Sequence, residues 1–122
     1  MANVYFDEGR DRLRARDWAE AIATLVWARD IEPERAAIYL ALIEAYEAAA
    51  AAEREPDLLQ QAFNVCRDLR DRRLPMSPGE QAAFHAAFVR VRDGVIAARR
   101  DGWSPPPPKE QVHTLFREPE ES

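Results

Sequence analysis

The side chains best suited to covalent or acid–base chemistry are few in this sequence. They are one cysteine, Cys66, and two histidines, His85 and His113. A nucleophilic thiol needs a base beside it, and a structural zinc site needs about four ligands. No motif joins these three residues, and no Ser/His/Asp set or glycine-rich phosphate loop is present. We therefore expect a non-enzymatic protein without a metal or a cofactor, in which Cys66 is an inert core thiol.

Aromatic and arginine side chains give the chain a different kind of chemistry, because these residue types dominate protein-binding hot spots. Tyr39, Ile43 and Tyr46 follow one another at helical spacing. They could form a binding surface, or they could be core residues between neighbouring helices. Val26 and Trp27 raise the same question. We favour packing against the next helical hairpin for this pair, with an exposed hot spot as the alternative.

Composition and charge exclude several classes of protein. The chain has 122 residues, enough for one domain, with 17 basic and 22 acidic residues and a net charge of −5. This charge repels a phosphate backbone, so we expect no nucleic-acid partner. The amino-terminal residues contain no signal-like apolar run, and no stretch is long and apolar enough to cross a membrane. Together with the single cysteine, these features predict a cytoplasmic protein.

Abundant alanine and sparse β-branched residues favour an all-α fold. Five helices are predicted, starting after Asn3, Asp17, Pro33, Glu55 and Ser77. Asp17 with Glu20, and Ser77 with Glu80, have the spacing of capping boxes. The first of these helices is expected to run to about Ala15.

The predicted helix ends depend on proline, arginine and glycine. Pro33 stops the second helix, and an arginine-rich turn ends the fourth. We expect the fifth helix to end at Gly102, with Trp103 folding back onto Ala97 or Ala98. Gly94 could instead break that helix.

One run of residues resembles the tetratricopeptide repeat (TPR), a helix-turn-helix unit of about 34 residues. The matching positions are Gly9, Asp17, Trp18, Glu20, Ala21, Ile22, Leu25, Ala28 and Pro33. Glu8 and Arg12 depart from the pattern, where the family has apolar and aromatic residues. In a second, weaker unit, Ala62 occupies the position of Ala21 but lies 41 residues after it.

The resemblance implies an all-α, right-handed, TPR-like solenoid of stacked antiparallel hairpins, with about two repeats and a terminal helix. It also implies a concave groove that binds a peptide or a partner protein. The residues expected in this groove are Phe6, Arg10, Leu13, Arg14, Tyr39, Ile43, Tyr46, Glu47 and Arg90, accompanied by Asn3, Ala82, Ala86 and Val89. They do not reproduce the clamp with which some members hold a carboxylate.

The chain is expected to divide into a helical domain, residues 1–103, and a proline-rich tail, residues 104–122. Four consecutive prolines, 105–108, predict a stiff extended segment. Beyond them Val112, Leu115 and Phe116 have the i, i+3, i+4 spacing of a docking helix. The tail could fold back on its own domain, dock on another protein or be disordered.

Two hypotheses of function follow. The first is an adaptor or small chaperone-like protein that holds a partner's peptide or helix in the groove. The alternative is a structural or assembly subunit, in which outer helix faces and the tail drive homo-oligomerisation or docking into a larger complex.

Overall fold

A computed structural model describes residues 3–105 of the chain. Its elements are α1 (Val4–Arg14), α2 (Trp18–Ile31), α3 (Ala36–Glu53), α4 (Pro56–Arg72) and α5 (Pro78–Arg100). The predicted all-α class is confirmed for these residues, which contain no strand. None of the five helices is both long and apolar enough to span a membrane. The predicted tail docking residues, Val112, Leu115 and Phe116, lie outside the described residues.

Two of the predicted helix starts are confirmed in atomic detail. The Asn3 side chain accepts a hydrogen bond from the Phe6 N–H at 3.1 Å. At the start of α5, the Ser77 hydroxyl accepts from the Glu80 N–H at 3.1 Å, and the Glu80 carboxylate accepts from the Ser77 N–H at 2.9 Å. These bonds satisfy amide groups that have no partner within the helix.

The predicted capping box at α2 is wrong. The Asp17 side chain makes no capping hydrogen bond, and its carboxylate lies 3.6 Å from the Arg12 guanidinium. The Asp17 N–H donates to the Arg12 carbonyl at 3.0 Å. That bond leaves Glu20 no amide to accept from, so the tight turn between α1 and α2 replaces the box.

The end of α5 follows the prediction. Gly102 has a φ of +98°, which glycine adopts without a steric penalty. The Trp103 N–H donates to the Ala98 carbonyl and the Gly102 N–H to the Arg99 carbonyl, each at 3.1 Å, which is a Schellman motif. The helix does not break at Gly94. A Cβ at that position would lie 3.1 Å from a methyl group of Leu59, so the glycine lets α5 pass close to α4.

Three other turns use the left-handed region with arginine in place of glycine. Arg16, Arg54 and Arg73 have φ values of 63°, 53° and 52°. They lie between α1 and α2, between α3 and α4, and between α4 and α5. Each therefore reverses the chain at a cost that glycine would avoid.

The first two helices cross at a very short distance. A Cβ built on Gly9 would lie 2.7 Å from two side-chain carbons of Leu25, which is inside van der Waals contact. Six residues before Gly9, the Asn3 amide donates to the Ala28 carbonyl in α2 at 3.1 Å. Gly9, Ala21 and Leu25 are all buried at or near this crossing, so small residues lie where the two helices approach closely.

Helix α3 is the centre of the core. It packs against α1, α2, α4 and α5, whereas α5 makes no contact with the first hairpin. Its buried residues are Ala36, Ile38, Tyr39, Leu42, Ile43, Ala45, Ala49 and Ala50. Since each helix reverses direction at the next turn, α1, α3 and α5 run the same way along the domain.

The Gly9 crossing gives the first prediction. Gly9→Ala should lower the free energy of unfolding by about 1 to 3 kcal/mol, because the added methyl group overlaps Leu25. The measurement is urea denaturation followed by circular dichroism. Gly79→Ala is the matched control, since its Cβ would meet only the Ser77 hydroxyl at 3.9 Å. Equal stability of the wild type and Gly9→Ala would contradict the close crossing.

Candidate functional site: an open groove across three helices

An open groove with a volume of about 490 Å³ crosses α1, α3 and α5. We call it the groove. Its lining is Phe6, Arg10, Ala37, Leu40, Ala41, Ile43, Glu44, Glu47, Glu80, Ala83, Ala87 and Arg90. On α5 this lining runs from Glu80 to Arg90, a length of about 15 Å at 1.5 Å per residue. The groove is therefore long enough for about ten residues of a bound helix.

Small and apolar side chains form the floor of the groove. Four of the lining residues are alanines, two from α3 and two from α5. Phe6 and Ile43 also border the groove, but they are almost completely buried, at 5% and 1% exposure. Because alanine leaves room above the backbone, the floor can accept the bulky side chains of another segment.

One end of the groove carries an ion pair between helices. The Arg90 guanidinium donates to both oxygens of Glu47, at 3.1 and 2.9 Å. These hydrogen bonds raise the pKa of Arg90, while partial burial acts in the opposite direction. The pair fixes α3 against α5 at this end with two parallel contacts.

The opposite end of the groove carries two arginines. The guanidinium groups of Arg35 and Arg10 lie 4.6 and 5.5 Å from the centre of the Phe6 ring. Glu80, whose carboxylate accepts from the Ser77 amide, is at the same end of the α5 lining, and the exposed Glu44 side chain lies at the rim between the two ends. Each end of the groove therefore carries both basic and acidic groups.

The structure brings five of the nine predicted groove residues together: Phe6, Arg10, Ile43, Glu47 and Arg90. Tyr39 does not face the groove, and its predicted position there is wrong. Its side chain is fully buried, and its hydroxyl donates to the Pro33 carbonyl at 2.6 Å. Burial raises the pKa of Tyr39.

The other three predicted residues also lie off the lining. Leu13 and Tyr46 are partly buried and pack against the core. Burial raises the pKa of Tyr46, while Arg29 opposes this. Arg14 is exposed and pairs with Asp11 at 2.7 Å. Leu13 and Arg14 come after the last α1 lining residue, Arg10, and Tyr46 lies beside the α3 lining row and not on it.

The row of groove residues predicted on α5 is displaced by about one residue from the observed row. Ala82, Ala86 and Val89 were expected in the groove, but the lining row is Glu80, Ala83, Ala87 and Arg90. Sequence reasoning also missed the row Ala37, Leu40, Ala41 and Glu44 on α3. The signal was present, since these positions follow the i, i+3, i+4, i+7 spacing of one helix face. Alanine's small size made that face hard to distinguish from core.

A second apolar surface lies on the first hairpin. Val4, Tyr5, Trp27 and Ile31 are 71%, 41%, 61% and 56% exposed. We call these four residues the hairpin patch. The rings of Tyr5 and Trp27 lie 6.0 Å apart, so the two helices contribute to one surface. The expectation that Trp27 packs against the next hairpin is wrong, whereas Val26 is partly buried against the core.

Neither cysteine nor histidine contributes to the groove lining. Cys66 is fully buried in α4, and burial, with a smaller contribution from Glu47, raises the pKa of its thiol to about 12. His85 is exposed on α5, and His113 lies outside the described residues. Within residues 3–105, no cluster of three acidic, histidine or cysteine side chains is arranged to hold a metal ion.

No family model, curated protein or solved structure matches the chain. The resemblance to the TPR family therefore stays a prediction based on the residues of the first repeat.

The second prediction concerns Cys66 at high pH. The folded pKa of about 12 lies above the ordinary thiol pKa of 9.0, so between these values the unfolded chain loses a proton that the folded chain keeps. The contribution of Cys66 to the free energy of unfolding should therefore be constant below pH 9 and fall above it, by up to about 1.4 kcal/mol per pH unit. Urea denaturation between pH 8 and 10 measures this slope.

Cys66→Ala is the control for that experiment. It should be less stable at every pH because of the lost side-chain volume, but it should lack the Cys66 part of the slope above pH 9. Parallel curves for the two proteins above pH 9 would contradict the raised thiol pKa.

Proposed function

We propose that the protein is a non-enzymatic adaptor or small chaperone-like protein with a TPR-like solenoid, and that its groove binds an amphipathic helix of a partner protein. The observation that carries this proposal is the groove itself, which is about 15 Å long, has an apolar floor and is bordered by three helices. Recognition of a helix in such a groove uses apolar anchors at i, i+3, i+4 and i+7.

The form of the floor favours a helix as the bound element. Ala37 and Ala41 on α3, and Ala83 and Ala87 on α5, leave space that large anchors from the partner can fill. A groove of about 490 Å³ has room for a few such side chains. Burying each of them contributes about 1.5 to 3 kcal/mol before the costs of association.

The rim gives the partner a charge preference. Glu44 lies at the rim on α3, and Arg10 lies over the Phe6 ring near the other end. A suitable partner helix would carry a basic residue opposite Glu44 and an acidic residue opposite Arg10. Such rim charges affect specificity and association rate more than affinity.

The third prediction tests the groove. Ala83→Lys should lower partner recovery at least tenfold in affinity purification with mass spectrometry, because it places a long cation over the apolar floor. Ala86→Lys is the matched control, an exposed alanine on the same helix that is not part of the lining. Since both changes are on the surface, both variants should unfold at a urea concentration close to that of the wild type. Recovery of every partner by Ala83→Lys would reject the groove as the binding site.

The hairpin patch favours the alternative function, that of an assembly subunit. It exposes four large apolar side chains on the first hairpin, which the other helices described in residues 3–105 leave uncovered. Two copies could cover the patch by a two-fold contact, in which the same surface meets itself. In this case the outer helix faces, and not the groove, would be the working surface.

The fourth prediction separates the two functions. If the patch drives assembly, the wild type should have a mass above that of the monomer in light scattering, and Trp27→Ser should be monomeric. Ile96→Ser is the control, because Ile96 is 43% exposed on α5, away from the first hairpin. If the wild type is monomeric at all concentrations tested, self-association through this patch is ruled out.

A further inference from the structure

We propose that the segment from Lys109 to Glu118 of the same chain docks in the groove and competes there with partner helices. The inference rests on the proposed function, because an internal occupant regulates the protein only if the groove binds partners. Three observations support the proposal. They are the place where the chain leaves α5, the length of the chain before this segment, and the match of the segment's side chains to the groove.

The exit point of the chain is fixed by two sets of contacts. The Schellman motif at Gly102 closes α5, and the Trp103 indole N–H donates to the Asp57 carboxylate at 2.7 Å. The chain therefore leaves at the carboxyl-terminal end of α5. Arg90, at the nearer end of the groove, lies about 15 Å before Arg100 along the helix axis.

The residues that follow are long enough to reach the groove. Five residues, 104–108, separate Trp103 from Lys109, and all five are serine or proline. At about 3.1 Å per residue, an extended chain of this length spans about 16 Å, which matches the axial distance from Arg100 back to Arg90. The segment would thus enter at the Arg90 end and run antiparallel to α3 and α5.

The apolar side chains of the segment suit the floor. Val112, Leu115 and Phe116 would lie on one face of a helix, with about 6 Å along the axis from the first to the last. The groove offers alanines on α3 and α5 to receive them, with Ile43 and Phe6 at its base. A helix this short is unstable alone, so docking would supply the packing that it needs.

The antiparallel direction also matches the charges. Lys109 would arrive first, beside the Glu47–Arg90 pair, with Glu44 next along the rim. Glu118 would lie about 13 to 14 Å further along, near Arg10 and Arg35 beside the Phe6 ring.

Tethering makes this occupant effective without a high intrinsic affinity. A segment held by a short linker has an effective concentration in the millimolar range. A partner helix must therefore bind more tightly than the segment, or reach a higher concentration, to displace it. This competition would give the groove a selectivity that its small apolar floor alone does not provide.

Disulfide formation in the full chain tests the proposal. The pair Ala83→Cys with Leu115→Cys should form a disulfide within one chain at least ten times faster than the pair Ala97→Cys with Leu115→Cys. Ala97 is exposed on α5 outside the lining and nearer to Leu115 in sequence. A freely moving tail would meet Ala97 at least as often, because the loop it closes is shorter.

The native thiol does not interfere with this measurement, because Cys66 is fully buried with a pKa of about 12. Adding Val112→Asp and Phe116→Asp should abolish the preference for Ala83→Cys, since aspartate does not pack on an apolar floor. Equal or slower reaction at Ala83→Cys would overturn the proposal. Disulfides that join two chains on a non-reducing gel would overturn it as well, and would assign the segment to the groove of a second copy.

Partner recovery separates this proposal from the proposed function. Closing the Ala83→Cys, Leu115→Cys disulfide should lower partner recovery at least tenfold, and reduction should restore it. If the disulfide shows no preference but Ala83→Lys still loses its partners, the groove binds partners and the internal occupant is rejected. If the preference holds but Ala83→Lys keeps every partner, tail docking stands and the proposed function falls.

Discussion

The two-sided burial of α3 is the constraint on which the rest of the structure depends. One row of this helix, including Ile38 and Leu42, packs into the core, and Tyr39 and Ile43 are buried beside it. A helix buried on two sides needs small residues where its neighbours approach, and α3 has alanine at many of these positions. Only a narrow strip of α3 stays uncovered, between α1 and α5. That strip is the floor of the groove, so the core and the candidate site are set by the same helix.

Much of the fold could be predicted from local sequence signals, because caps and stops act over a few residues. Asn3, Ser77 and Gly102 mark helix boundaries through hydrogen bonds to nearby amides and carbonyls. Asp17 shows the limit of this reasoning. Its residue type suits a cap, but the turn brings Arg12 close to it. The Asp17 N–H donates to the Arg12 carbonyl, and the Asp17 carboxylate pairs with the Arg12 guanidinium.

The candidate site was harder to predict, because it depends on which row of each helix faces its neighbours. Tyr39 looked like a binding residue by type, yet its ring is buried and lies about 6 Å from the guanidinium groups of Arg29 and Arg72. Trp27 showed the reverse error, since a large aromatic residue expected in the core is exposed. Residue type does not determine the rotation of a helix about its axis. The hairpin geometry sets this rotation, and small residues such as Ala41 give weak evidence of it.

Three turns of this domain hold an arginine in the left-handed backbone region, so the domain could still gain stability at these positions. Arg16, Arg54 and Arg73 each hold a backbone conformation that costs an L-residue about 1 to 2 kcal/mol relative to glycine. Since these three residues are not part of the groove lining, a glycine at any of them could compensate for a destabilising change there. The domain can thus acquire a new specificity in steps, with stability gained at a turn offsetting stability lost at the recognition surface.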